Sequence, residues 1–228
     1  MRIPANLPAA LLIACAMAAG GPARAVDWPD VPVPDGAIGE TVSSHMVYNG
    51  MSMRASRFTV DRPVDEVKAF YRKRWAGKLV DTPLGPQRSV LGHLQDARYY
   101  VTVELSPLGK STSGQIGVLQ LPYEDLPADA VGKGFERLPR TAVAEDIVHM
   151  DTERRVRTLS MANGFSPYQN AQFYTRRLAA QGYRKEPGSD ACMAMSAICH
   201  VRYTRDGDRV TVTAMREGDG TQIVAVVE

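Results

Sequence analysis

The sequence predicts an α+β fold of two tandem, similar units, each an antiparallel sheet packed by one helix in the order ββαβββ. Two observations predict it. Short residue matches recur in the same order 103 to 107 residues apart, and strand-like runs surround one amphipathic stretch in each half. The 228-residue length accommodates both units. The expected first unit is 26–122, the linker is 123–145 and the second unit is 146–228.

Four short matches support an internal duplication. Each alone is weak, but their order along the chain is kept and their spacing drifts by only a few residues. The matches are Pro34–Ala37 with Pro139–Ala142, His45-Met46 with His149-Met150, Phe70-Tyr71 with Phe173-Tyr174, and His93 with His200.

The first unit begins with a predicted hairpin. Asn49-Gly50 separates two strand-like runs, 41–48 and 51–60, and suits a type I′ turn, which needs positive φ at both central residues. A helix is predicted from Pro63 to Ala76, because Pro suits the first turn of a helix and the following apolar residues form one stripe. Three further strands are expected over 89–94, 98–105 and 115–121.

The second unit repeats this order. Ser166 and Gln169 have the spacing of a capping box, so a helix is predicted to begin there and to end at Gly182. Asp206-Gly207 marks a hairpin turn. The strands are expected over 146–150, 154–161, 198–204, 208–215 and 221–227. Between the units, a segment rich in Pro and Gly predicts the linker.

Residues 1–25 have the pattern of a secretory signal peptide. A basic residue precedes an apolar stretch, and Ala23 and Ala25 form an A-x-A cleavage site. An alternative is a lipobox ending at Cys15, whose lipidation would place the chain on a membrane surface. The favoured location is therefore periplasmic or secreted, and the alternative is a membrane-anchored lipoprotein.

The charge balance excludes one class of partner. The chain has 27 basic and 25 acidic side chains, and two of the basic ones, Arg2 and Arg24, lie in the leader. The mature chain is therefore neutral. A neutral chain lacks the basic footprint that nucleic acid requires, so no nucleic-acid partner is expected.

Two cysteines remain after cleavage, Cys192 and Cys199. In an oxidising compartment an even pair favours a structural disulfide, and C-x6-C lacks the spacing of redox C-x-x-C motifs. Met193, Met195 and His200 lie beside them and form the best metal candidates, because soft ligands select Cu(I). Methionine more often fills apolar cores, so neither a metal nor another cofactor is expected.

Aromatic and basic residues recur at matching places on the two predicted helices. Tyr71 and Arg74 lie on the first helix, and Tyr174 and Arg177 lie on the second. They are candidate partner contacts. Packing of the tyrosines and solvation of the arginines near the helix ends is the favoured alternative.

The sequence carries no recognised catalytic motif. It has no G-x-S-x-G, H-E-x-x-H, Walker or G-x-G-x-x-G pattern, so no catalytic residue is assigned. The expected function is therefore that of an exported, non-catalytic binding or adaptor module of the bacterial cell envelope. Its partner is expected to be an envelope protein or another envelope component. The alternatives are a periplasmic enzyme with an unrecognised site and a copper-handling protein.

We expect the mature chain from its native host to begin at Val26, because cleavage follows Ala25. Intact-mass spectrometry of the purified protein checks this. A chain starting at a diacylated Cys15 would establish the lipoprotein alternative, and an intact Met1 would contradict both.

Overall fold

The described residues form a sheet-rich α+β fold, which confirms the predicted class at that level. The computed structural model describes residues 27–127, 129–188 and 192–228. In these ranges two helices and twelve strands are present, and every strand pairs antiparallel with its neighbours.

The elements follow each other along the chain in the order strand, strand, helix and four strands, and this order occurs twice. They are β1 (Ile38–Tyr48), β2 (Met51–Val60), α1 (Val64–Arg74), β3 (Leu79–Pro83), β4 (Ser89–Gln95), β5 (Tyr99–Leu108), β6 (Ser111–Gln120), β7 (Ala142–His149), β8 (Val156–Asn163), α2 (Pro167–Ala180), β9 (Arg184–Lys185), β10 (Ile198–Arg205), β11 (Asp208–Glu217) and β12 (Gly220–Val227).

All described strands belong to one sheet, in the order β3-β4-β5-β6-β2-β1-β7-β8-β12-β11-β10-β9. Each half has one strand more after its helix than the predicted ββαβββ. The additional strands, β3 and β9, form the two outer edges of the sheet. They are short, and β3 contains a proline, so neither has the long alternating pattern by which strands are recognised in a sequence.

The two halves of the sheet meet where β1 pairs with β7. The shared register covers only Met46–Tyr48 against Ile147–His149. Two backbone hydrogen bonds extend it, from Asn49 N to Asp146 O (2.8 Å) and from Met150 N to His45 O (3.1 Å). This short ladder makes one continuous sheet of what would otherwise be two.

Both helices lie on the same face of the sheet, which we call the helix face. Cross-strand partners share a face, and so do residues separated by an even number of positions in a regular strand. Phe58, which packs under α1, lies an even number of positions from Ser52 on β2 and so shares its face. Ser52 pairs with Val47, Val47 with Val148, and Val148 with Arg157, so these residues lie on that face as well. Arg157 lies two positions before Leu159, which packs under α2.

Each helix buries its apolar stripe in its own core. Val67 and Tyr71 of α1 are fully buried against strands of the first half. Tyr174 and Leu178 of α2 are buried in a second cluster. The two clusters share no residue within the described part of the chain.

Local signals in the sequence correctly predicted the turn after β1 and the start of α2. Asn49 and Gly50 have φ values of 49° and 84°, as a type I′ turn requires. Ser166 Oγ accepts a hydrogen bond from the Gln169 amide, and the Gln169 side chain accepts one from the Ser166 amide. The capping box is therefore confirmed.

The matching of His93 with His200 is wrong. His93 is buried on the helix face, where its ring stacks on Trp75 with centroids 4.6 Å apart. His200 is exposed, whereas its strand neighbours Cys199 and Val201 are buried in the core under α2. His200 therefore points to the opposite face, because successive side chains of a strand alternate between faces.

The segment 123–145, which the sequence predicts to be a linker, is partly incorporated in the fold of the second half. Strand β7 begins within it, at Ala142. Phe135 and Leu138 pack against the core under α2, and the Phe135 ring lies 5.6 Å from that of Tyr174. The end of the segment therefore contributes to the packing of the second half.

We expect Tyr71→Phe to raise the free energy of unfolding by about 1 kcal/mol, because the Tyr71 hydroxyl is buried and has no hydrogen-bond partner among the described residues. Tyr203→Phe is the matched control. Its hydroxyl lies 2.9 Å from Thr175 Oγ1, so this substitution should lower stability by about 1 kcal/mol. Urea denaturation measures both, and a Tyr71→Phe protein less stable than the parent would contradict the expectation.

Candidate binding surface

The targeting residues fall outside the part of the chain that the structure describes. This applies to Ala23, Ala25 and Cys15, all within residues 1–26. Among the described residues, no helix is long and apolar enough to cross a membrane.

The predicted cysteine pair lies at bonding distance. Cys192 and Cys199 have Cα atoms 5.0 Å apart, and their sulfur atoms are bridged. Cys199 is buried in the core under α2, and Cys192 packs against that core from outside. Closing so short a loop stabilises the fold by about 2–3 kcal/mol.

The metal candidates lie at the surface. Met193 and Met195 are 69% and 95% exposed. His200 is also exposed, and its Nδ1 lies 2.9 Å from Thr213 Oγ1 of the neighbouring strand. Among the described residues there is no group of three or more His, Cys, Asp or Glu side chains that could hold a metal ion.

The helix tyrosines cannot serve as the predicted partner contacts. Tyr71 is fully buried and Tyr174 is 2% exposed, so neither offers a surface to another molecule. Burial raises the pKa of both hydroxyl groups. Arg74 is exposed near the end of α1, and Arg177 forms an ion pair with Glu136 at 3.2 Å. The tyrosines therefore have a packing role.

The face of the sheet opposite the helices, which we call the open face, carries a row of large side chains. Seven neighbouring strands each contribute one residue, and each residue is the cross-strand partner of the next. The apolar row consists of Leu94, Tyr100, Leu119, Met53, Met46, His149 and Val156. Neighbouring strands lie about 4.8 Å apart, so the row is roughly 30 Å long.

Glycines beside the apolar row let two of its side chains lie flat on the sheet. A Cβ atom on Gly92 would lie 2.4 Å from the Tyr100 hydroxyl, and one on Gly117 would lie 2.8 Å from Met53 Cε. Tyr100 therefore covers the backbone of β4, and Met53 covers that of β6. The first half thus presents a flat, apolar surface on its open face.

The N-terminal part of β1 has an unpaired outer edge. One side of β1 pairs with β2 from Ile38 onward, but on the other side the β7 pairing stops at Met46. No described strand pairs with residues 38–42 on that side. Ile38 is 78% exposed and Val42 is 58% exposed, unusual values for apolar residues of a strand. We call residues 38–42 the free edge.

Two depressions adjoin the free edge. The first has a volume of about 330 Å³ and reaches the N-terminal segment, with Trp28, Val31, Val33, Thr41, Ser43 and Arg54 among its lining residues. The second has a volume of about 350 Å³ and is lined by Ile38, Glu40, Arg57, Thr59, Leu108 and Ser113, among others. Both lie over β1 and the strands on its paired side, and both offer apolar and polar contacts there.

The Asp151 carboxylate lies at the inner end of the free edge, which is the end nearest to the pairing with β7. Asp151 accepts a hydrogen bond from the Ser44 amide at 2.7 Å and another from the Ser43 hydroxyl at 3.0 Å. Burial alone would raise the pKa of Asp151, but these hydrogen bonds outweigh it and lower the pKa. Asp151 is thus ionised at neutral pH and places a negative charge at this end.

The corresponding edge of β7 is covered by the chain itself. The Asn49 side chain accepts from Asp146 N at 2.8 Å and donates to Ala144 O at 3.3 Å. The Gly132 amide donates to Asp146 Oδ2 at 2.8 Å. Asp146 is further held by Arg157, with nitrogen–oxygen distances of 2.8 and 2.7 Å. Asn49 therefore satisfies backbone groups of β7, whereas no described strand pairs with residues 38–42 of β1 on the corresponding side.

Sequence reasoning missed the free edge. It placed the start of the first strand near Thr41, whereas β1 begins at Ile38. Ile38 and Val42 are apolar, which is a signal of strand, but exposure cannot be read from residue type. The role of Asp151 depends on contacts across 107 and 108 residues of sequence, which no local pattern records.

The fold and the free edge define a class of protein, an antiparallel α+β protein with an unpaired strand edge in the middle of its sheet. Comparison of the chain with protein-family models, curated proteins and solved structures finds no match in any of the three.

We expect Asp146→Asn to lower the free energy of unfolding by about 1.5–3 kcal/mol at pH 7, because Asp146 accepts hydrogen bonds from a charged partner. Burial alone would raise the pKa of Asp146, but the bonds from Arg157 and Gly132 lower it. This stabilisation is present above the unfolded pKa of about 4 and is lost as pH falls through the lower folded value.

Urea denaturation from pH 7 to pH 2 checks this. The Asp146→Asn protein should lose less stability than the parent across the acid range. Asp208→Asn is the control, because Asp208 pairs with Arg205 on the exposed surface and should alter stability by less than about 0.5 kcal/mol. Parallel acid curves for the parent and Asp146→Asn would contradict the assignment.

Proposed function

We propose that this chain is an exported, non-catalytic binding module of the bacterial cell envelope whose partner is a polypeptide. The observation that carries the proposal is the free edge of β1, where Ile38 and Val42 are exposed. Unpaired strand backbone is matched by the backbone of another polypeptide, and exposed apolar residues of the edge favour apolar side chains on it. This favours an envelope protein over the other envelope components as the partner.

The leader pattern and the cysteines support export. Residues 1–25 combine a basic start, an apolar stretch and an A-x-A site. The bridged Cys192 and Cys199 fit an oxidising compartment. A periplasmic or secreted location follows from cleavage after Ala25. Lipidation at Cys15 would instead tether the module to a membrane and keep its partner near that surface.

A diverged duplication supports the same reading, because it accounts for the order of elements. The strand order read inward from β3 to β1 has the same connectivity as that read inward from β9 to β7. In this proposal the two units differ at the strand end that extends beyond the β1–β7 pairing. At β7 of the second unit, Asn49 satisfies the backbone groups, and the first unit leaves its edge for a partner.

Site-specific photo-crosslinking in the native envelope tests the proposal. A photoreactive amino acid replaces Val42 on the free edge, Leu94 on the open face, or Val80 on the outer strand β3, all of them exposed. The same envelope protein should be crosslinked reproducibly from at least one position, and excess unlabelled processed protein should compete. Absence of any protein crosslink from all three positions would overturn the binding proposal.

A further inference from the structure

We infer that the free edge of β1 binds an extended peptide as an added strand, and that this peptide carries apolar side chains and no acidic residue beside Asp151. The inference rests on the proposed function, since it names the ligand class and the site of that binding. It goes further in assigning the residues that make the contact.

The backbone of β1 determines the ligand class. Residues 38–41 pair with β2 on one side only, and Val42 lies in a β-bulge between Thr41 and Ser43. The other side presents a short row of amides and carbonyls, and an extended peptide supplies the complementary acceptors and donors at the same spacing. Lys and Pro, which protect many such edges, are absent from residues 38–42.

The end of β7 beyond its pairing with β1 shows how such backbone groups are satisfied. Asn49 donates from its amide to Asp146 O, and its side chain bonds to Asp146 N and Ala144 O. The free edge offers backbone groups of the same kind, and no described strand pairs with them.

The exposed apolar residues of the free edge specify the side chains of the ligand. Side chains of an added strand lie beside those of the strand with which it pairs, on both faces of the sheet. Ile38 and Val42 are 78% and 58% exposed. Apolar side chains of the peptide would pack against them.

The charges at the edge select against acidic ligands. Asp151 lies at the inner end of the free edge, where Ser44 donates to it. Glu40 lies within the edge and forms an ion pair with Arg57 on β2. A basic residue opposite Asp151 gains an attractive contact, and an acidic residue there is repelled.

Hydrogen exchange and titration with a synthetic peptide test the inference. The probe is a seven-residue peptide of alternating valine and threonine with one terminal lysine, and its control is the same sequence N-methylated at alternate amides. The processed full chain with the probe should show at least tenfold slower amide exchange within residues 38–42. The N-methylated peptide, which lacks the required donors, should produce no protection.

Two matched variants locate the site. Val42→Lys places a charge on the free edge and should weaken probe binding at least tenfold. Val80→Lys makes the same change on β3 and should leave binding unchanged. Val80 is 63% exposed and Val42 is 58% exposed, so the two positions are matched. Both side chains are exposed, so both variants should fold, and circular dichroism checks this. Replacing the terminal lysine of the probe by glutamate should also weaken binding.

The outcomes separate this inference from the proposed function. No exchange protection by the probe, equal binding of the N-methylated peptide, or equal weakening by the two lysine variants overturns the added-strand inference. If the envelope crosslink nevertheless persists in the Val42→Lys chain, the binding module stands and its partner uses another surface. Loss of the crosslink only in Val42→Lys supports both.

Discussion

The pairing of β1 with β7 is the constraint on which the architecture depends. Three residue pairs and two flanking backbone hydrogen bonds join two half-sheets that have separate cores. Asn49 serves twice, since its positive φ turns the first hairpin and its side chain binds Asp146 and Ala144 of the second half. The hairpin turn and the junction are therefore one structural element.

The short overlap at this junction also creates the free edge. Because β7 reaches only Met46, the first part of β1 extends past it with one side unpaired. On the other side of the junction, β7 extends past Tyr48, and there Asn49 bonds to backbone groups of Asp146 and Ala144. Asp146 is the centre of that arrangement, because Arg157 and Gly132 both bind its carboxylate.

Features that depend on neighbouring residues could be predicted from the sequence. The Asn49-Gly50 turn, the Ser166 capping box and the sheet-rich α+β class are of this kind. The β1–β7 pairing brings together residues about a hundred positions apart, and no periodicity encodes it. The mistaken match of His93 with His200 has a related cause, because a shift of one residue in a strand moves a side chain to the other face.

The separation of the two cores restricts how one half can influence the other. No residue is common to both clusters within the described part of the chain, so packing changes under α1 have no direct side-chain route to those under α2. Energetic coupling between the halves passes through the contacts at their junction, which include the Met46–Tyr48 ladder, the Asp146 contacts and the bonds from Ser43 and Ser44 to Asp151. A molecule bound beside Ile38 would therefore first alter the contact between Ser44 and Asp151, which lie between the free edge and that ladder.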